Sequence, residues 1–326
     1  VAQKQKNRQR KQQQANPTQR PRPKAREVRK LDARAWIAGA RLRTLPLAIA
    51  PVLLGTAGAI VDGEPGQYHW VRALACLAVA LCLQIGVNYA NDYSDGIRGT
   101  DAFRVGPARL TGSGLVEPKR VRLVAFIFFG LGALAGLFLV VASGHWWLLA
   151  VGAAAIVAAW YYTGGKRPYG YAGLGEVFVF VFFGLVATAG TTFVQIGSVS
   201  TNVWIMATAI GLFACAVLMV NNIRDIEQDR LASKRTLAVL VGPVVSRWLF
   251  GVFTLAPFVL AIFFAIAYRN AVFTFFALLL AAPAVLIAST ARKPRELILA
   301  LMLTSFATLA YALLLGLGIV FSGYVR

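Results

Sequence analysis

Acid is what this chain has least of. Thirteen Asp and Glu stand against 33 Lys and Arg in 326 residues, and seven of the thirteen are Asp. So few acids cannot supply the mixed-sign coat of a soluble domain. Histidine is scarcer still, with His69 and His145 alone. Neither lies near the acidic stretches described below, which removes the usual general base. The three cysteines, Cys76, Cys82 and Cys215, sit inside apolar runs, where a small polarizable side chain is ordinary filler. Neither a disulfide nor a metal role is expected of them. Residues 1–34 contain no apolar h-region, so no signal peptide is expected and the first span should direct insertion.

What is abundant is apolar surface: 58% of residues are hydrophobic and the mean hydropathy is +0.65, far above a soluble domain. Nine runs are long enough to approach a hydrocarbon layer of roughly 30 Å, at about 36–60, 70–90, 121–141, 146–163, 173–194, 203–221, 246–267, 271–289 and 297–321. The expectation is an all-α polytopic membrane protein, with nine transmembrane helices around a central cavity open to the cytoplasm. Net charge of +20 could suit nucleic acid, but its distribution points to lipid. Counted with the N-terminus inside, 30 of the 33 basic residues fall on inner segments, leaving Arg72, Arg269 and Arg326 outside. That bias predicts an N-inside, C-outside protein of the cell membrane by the positive-inside rule, with no nucleic-acid partner. Residues 1–34 are polar, basic and too poor in apolar residues to fold alone. They are expected to be a disordered cytoplasmic tail drawn to anionic lipid, and residues 35–326 the membrane domain.

Five of the seven aspartates lie in two short segments. The first, NYANDYSDGIRGTD, runs from Asn88 to Asp101 and closes the second apolar run. On a helix Asn88, Asp92 and Asp95 fall at i, i+4 and i+7, with Asn91 and Asp95 at i and i+4, so their oxygens share one face. The second, NNIRDIEQD, places Asn221, Asp225 and Asp229 at i, i+4 and i+8. Five aspartates in lipid would cost on the order of 15 kcal/mol at about 3 kcal/mol each, so they face water, metal or both. Oxygen sets of this kind suit Mg²⁺, which takes one or two carboxylates and completes its shell with waters and substrate phosphates. A diphosphate between the two segments would complete both shells.

Basic groups gather on the same inner side. Arg41 and Arg43 precede a helix interrupted by Pro46 and Pro51, and prolines at membrane depth face protein or a water-filled cavity. Arg104 and Arg109 precede a glycine-rich TGSG stretch, Tyr162 and Lys166 have a YxxxK spacing followed by Arg167, Arg224 lies within the second segment, and Lys234 and Arg235 follow it. Such cations complement a diphosphate. Each also has a plainer reading, as a topology signal or a snorkelling interfacial charge. Glu176 is a lone acid just inside the fifth apolar run, and an intramembrane ionisable group is a functional candidate.

NDYSDGIRGTD, DIEQD and the Tyr162–Lys166 pair resemble the signature motifs of the UbiA superfamily of intramembrane aromatic prenyltransferases. Within it, RTLPLAIAPVLLGTA, RVGPARLTGSGL, YTGGKRPYGYAGLGEVFVFVFFG and NNIRDIEQDRLASKRTLAVLVG are similar to the branch that prenylates 1,4-dihydroxy-2-naphthoate on the way to menaquinone. One departure stands out: the first motif usually continues as DxxxD, whereas here Asp95 is followed at that spacing by Gly99 and then by Asp101. The resemblance implies a transferase using Mg²⁺ held by Asn91, Asp92, Asp95, Asp101, Asn221, Asp225 and Asp229. It implies Asp95, Asp225, Lys166 and Tyr162 as the catalytic set. Substrate contacts would come from Asn88, Arg98, Arg104, Arg109, Lys166, Arg167, Arg224, Lys234 and Arg235. The implied substrates are a polyprenyl diphosphate and 1,4-dihydroxy-2-naphthoate, within the lipid bilayer, with loss of diphosphate and CO₂ to give demethylmenaquinone. Other acceptors, such as 4-hydroxybenzoate, remain open. From a different class, so does an ion-coupled transporter, because paired intramembrane carboxylates also mark ion paths.

Overall fold

The computed structural model describes residues 33–99 and 109–322, and every element in them is helical. The expected tail lies outside them except for Ala33 and Arg34, which open the first helix. Asp101 and Arg104 also lie outside. In chain order the helices are α1 (Ala33–Ala40), α2 (Pro46–Asp62), α3 (Trp70–Arg98), α4 (Pro118–Ser143), α5 (Leu148–Tyr161), α6 (Gly175–Ile196), α7 (Thr201–Leu231), α8 (Leu237–Ala267), α9 (Arg269–Thr290) and α10 (Leu297–Val320).

Each expected apolar run is helical, but they do not all cross alike. Among the described residues seven helices are long and apolar enough to span a membrane, and α1 with α2 forms a pair bent by 47° that makes up to eight. The run at 146–163 gives only the 14 residues of α5, about 21 Å of helix at 1.5 Å per residue. A Trp146–Trp147 turn shortens it at one end and the Thr163-Gly164-Gly165 turn at the other.

α7 is the axis. From Val203 to Val220 its residues are almost all apolar on every side, so that stretch has little face to give to solvent, and most of it is buried. Met206, Ile210 and Phe213 pack with Leu54, Phe258 and Tyr311 in one cluster, while Val217, Met219 and Val220 pack with Phe250 and Leu301 in another. The sixth helix meets this axis so closely that a Cβ on Gly184 would stand 2.4 Å from the Gly211 Cα. There α6 carries seven residues of π-helical bonding, Phe180–Val186, a widening that inserts one residue without breaking the helix and recurs at functional sites.

The bend between α1 and α2 follows from local chemistry. Pro46 takes the first helical position, where no N–H is needed, and Arg41 ends α1 in a left-handed conformation (φ 54°). That turn is pinned from α3: Asn88 Nδ2 donates to the Ala40 carbonyl at 2.9 Å, and Gln84 Nε2 to Thr44 Oγ1 at 3.0 Å. Thr44 Oγ1 in turn donates to the Arg41 carbonyl at 2.9 Å.

Candidate active site

Both acidic segments end long helices, and the fold brings those ends together. One polar pocket of about 60 Å³ is lined by Asn91 and Asp95 from α3 and by Asn221, Asn222, Asp225 and Asp229 from α7. Arg109, Lys234, Arg41 and Tyr162 close its wall. Asp95 from one segment thus meets Asp225 and Asp229 from the other at a single pocket.

On α3 the first segment is consumed by its own surroundings. Asp92 turns away from the pocket and accepts the backbone N–H groups of Leu110 (2.9 Å) and Thr111 (2.8 Å). That docks the loop against Gly96, where a Cβ would stand 2.4 Å from Thr111 Cγ2. With its backbone so placed, Arg109 reaches Asp95 Oδ2 at 2.6 Å and the Asn91 carbonyl at 3.0 Å. The Tyr171 hydroxyl donates to Asp95 Oδ1 at 2.7 Å. Asn91 Oδ1 accepts from Thr163 Oγ1 at 2.7 Å. Asn88 is spent on the α1–α2 turn and lines the neighbouring apolar cavity.

On α7 the pattern differs. Arg224 forks onto its neighbour Asp225 through two bonds of 2.7 and 2.6 Å. Lys234 Nζ stands 3.4 Å from Asp229 Oδ1, while Asp229 Oδ2 is buried without a hydrogen-bond partner. Burial pulls the Lys234 ammonium down, but the carboxylates of Asp95 and Asp229 outweigh it and hold its pKa above the ordinary lysine value. Tyr171 joins the two halves: the Arg98 guanidinium and Lys234 Nζ each lie 5.3 Å from its ring centroid, within cation–π range.

Several expected contacts are placed elsewhere. Because α5 ends at Tyr161, Tyr162 and Lys166 are not on a common helical face, and Lys166 and Arg167 are exposed in the following turn. Arg98 donates to the carbonyls of Thr163 and Gly165, and Arg235 is exposed. The lysine that lines the pocket is Lys234. Tyr171, Thr163, Asn222 and Gln228 belong to the site and were not singled out by spacing. Tyr171 lies in the same YTGGKRPYGYAG block, but nothing in its pattern separates it from Tyr162 or Tyr169.

The residues suit a divalent cation that brings part of its own shell. Among the described residues no three of His, Cys, Asp or Glu form a closed cage. Asp229 Oδ2, buried without a hydrogen-bond partner, shares the pocket with Asp225, Asn221 and Asp95, a hard, partial oxygen set of the kind that suits a divalent cation such as Mg²⁺.

An apolar cavity of about 530 Å³ continues from this pocket, sharing Arg41, Asn91, Tyr162, Leu218 and Asn221 with it. It reaches Cys76 near the start of α3, about 22 Å along the helix from Asn91 at 1.5 Å per residue. Among the described residues Arg41 is the one charged side chain on its wall. Tyr162, Tyr169, Phe178 and Phe182 form a run of ring contacts along one side, the closest being Tyr169 on Phe178 at 3.9 Å between centroids.

Comparison with known proteins agrees with this geometry. Residues 48–297 match the UbiA prenyltransferase family. The chain is 48% identical over 281 residues to a protein of Mycobacterium tuberculosis (strain ATCC 25618 / H37Rv) named 1,4-dihydroxy-2-naphthoate octaprenyltransferase, covering 85% of this chain and 94% of that one. Its fold is similar to the apo structure of a UbiA homolog from Aeropyrum pernix K1, with a TM-score of 0.59 at 18% identity over 85% of this chain and 95% of that chain. It is also similar to a UbiA homolog from Archaeoglobus fulgidus bound to GPP and Mg2+, with a TM-score of 0.56 at 16% identity over 85% and 99%.

Proposed function

This chain belongs to the UbiA prenyltransferase family, and from that premise we propose that it transfers a polyprenyl group from polyprenyl diphosphate to 1,4-dihydroxy-2-naphthoate, with Mg²⁺, releasing diphosphate and CO₂ to give demethylmenaquinone. The observation that carries the reading is the continuity of two spaces. A small pocket with carboxylates facing cations opens directly into a long apolar cavity. The first suits a diphosphate and the second the chain attached to it.

Arg109 and Lys234 are the groups that act on the donor. Both are held at the pocket by carboxylates, and an arriving diphosphate offers them oxygens of higher charge. Their N–H groups then stabilise charge as it gathers on the leaving diphosphate oxygen. Mg²⁺, when bound by Asp225, Asp229, Asn221 and the Asp95–Asn91 side, supplies further neutralisation of the same charge. The apolar cavity keeps water from the allylic cation. The electron-rich ring of the acceptor attacks that cation at its carboxylate-bearing carbon. The electron pair of the breaking C–CO₂ bond returns to the ring, so no histidine base is called on. Arginine and lysine bias to one side supports an active site that opens to the cytoplasm, with the N-terminus on that side.

The test is incubation of the purified protein with Mg²⁺, 1,4-dihydroxy-2-naphthoate and polyprenyl diphosphates of several lengths. Product mass should show prenyl addition with loss of 44 mass units as CO₂, on the order of one carboxyl group per prenyl group added. Turnover of 4-hydroxybenzoate in preference to the naphthoate would sink the acceptor assignment while leaving the donor chemistry intact.

A further inference from the structure

Glu176 is an acid that the chemistry above does not use. It stands in the first turn of α6 at 6% exposure. Its Oε1 accepts a 3.0 Å hydrogen bond from Asn222 Nδ2, and its Oε2 is buried with no hydrogen-bond partner. Leaving a buried acceptor unmatched costs about 1–3 kcal/mol, so packing alone does not account for a carboxylate here. Its backbone is fixed as well: the Cys215 thiol donates to the Glu176 carbonyl at 3.2 Å.

Asn222 lines the polar pocket, and Asp225 and Asp229 follow it at i+3 and i+7, on the same side of α7. An amide has a donor end and an acceptor end, whereas a carboxylate only accepts. The bond to Glu176 therefore decides which end of Asn222 is turned away from it. We propose that Glu176 is a positioning residue: it holds the Asn222 amide so that Oδ1, not NH₂, faces the carboxylates of α7, adding a neutral oxygen to the cation-binding side of the pocket. This rests on the Mg²⁺-dependent reading given above and assigns Glu176 and Asn222 a part in it.

Glu176→Gln isolates the effect because glutamine is isosteric and can pair with Asn222 in either orientation. It releases the amide to turn its NH₂, with its partial positive charge, toward the cation. The pair E176Q/N222D restores order: the glutamine NH₂ donates to one oxygen of the new carboxylate, and the other oxygen faces the pocket. The full chain in detergent is titrated with MgCl₂ at fixed geranyl diphosphate, and the Tm is read at each concentration. E176Q should raise the Mg²⁺ concentration of the half-maximal Tm shift about tenfold, or about 1.4 kcal/mol, without lowering the metal-free Tm. E176Q/N222D should return that midpoint to the wild-type value or below. An E176Q midpoint within about twofold of wild type, or a double variant no better than E176Q, overturns the proposal. If the wild type itself shows no Mg²⁺-dependent shift, the transferase reading fails and this inference falls with it; an intact wild-type response with an indifferent E176Q removes this inference alone.

Discussion

At the end of α3 every carboxylate oxygen of Asp92 and Asp95 is engaged: two backbone amides hold Asp92, while Arg109 and Tyr171 hold Asp95. At the end of α7, Asp229 keeps Oδ2 buried and without a partner. Acids of one composition thus serve different ends. Asp92 ties down the loop that delivers Arg109, Asp95 holds Arg109 and Tyr171 at the pocket, and Asp229 keeps one oxygen which, on the proposed reading, is left for a cation. A carboxylate oxygen in a buried site is either spent on structure or kept for a ligand, and only its partners tell which.

Five substitutions break or sharpen that contrast. Asp229→Asn has the largest expected effect, about 10³-fold in kcat/KM or about 4 kcal/mol of transition-state stabilisation, with Tm little changed because the amide keeps the side chain's shape and its oxygen can still accept from Lys234. Rates at saturating Mg²⁺ and a thermal melt check it, and activity within tenfold of wild type would erase the distinction between the helices. Asp92→Asn should behave oppositely. It trades one of two charged acceptors for an NH₂ facing a backbone N–H, costing about 2–3 kcal/mol of stability, while the Mg²⁺ midpoint of the folded fraction stays put. Denaturant melts with a parallel Mg²⁺ titration separate the two effects.

Lys234→Met should cost about 10²-fold in donor kcat/KM, about 2.7 kcal/mol. Because the Lys234 pKa is raised, its contribution is complete below the ordinary lysine value and is lost only as pH rises through the higher folded one. Donor binding measured through neutral and mildly alkaline pH should therefore be level on this account, and a decline there that K234R abolishes would contradict it. Tyr171→Phe keeps the ring under Arg98 and Lys234 but removes the hydroxyl from Asp95, for about 1 kcal/mol or roughly fivefold in rate. Lys166→Ala, at an exposed position, should stay within about twofold of wild type in the same assay. A large loss there would restore the YxxxK pairing that the end of α5 at Tyr161 removes.

Much of this was legible in the residues. The apolar runs became helices, the scarcity of acid pointed to two segments, and both segments line one pocket. The misreadings share a cause. The YxxxK spacing sets Tyr162 beside Lys166, but the helix stops at Tyr161 and the turn that follows leaves Lys166 exposed. Spacing puts Asp92 on one face with Asp95, but the loop at Leu110 and Thr111, eighteen and nineteen residues on, claims it. Tyr171 went unnoticed because its role depends on Arg98 and Lys234, which approach its ring from distant parts of the chain.

By itself the sequence determined that this protein lives in a membrane and where its acids could be tolerated. Transfer of apolar and charged side chains into lipid is nearly additive along the chain, so a local count is enough. Which oxygens are spent and which lysine lines the pocket was decided only in three dimensions. Those outcomes turn on hydrogen bonds a few ångströms long between α3, α7 and the turns beside them, and such contacts depend on helix rotation and loop docking that no spacing along one segment records.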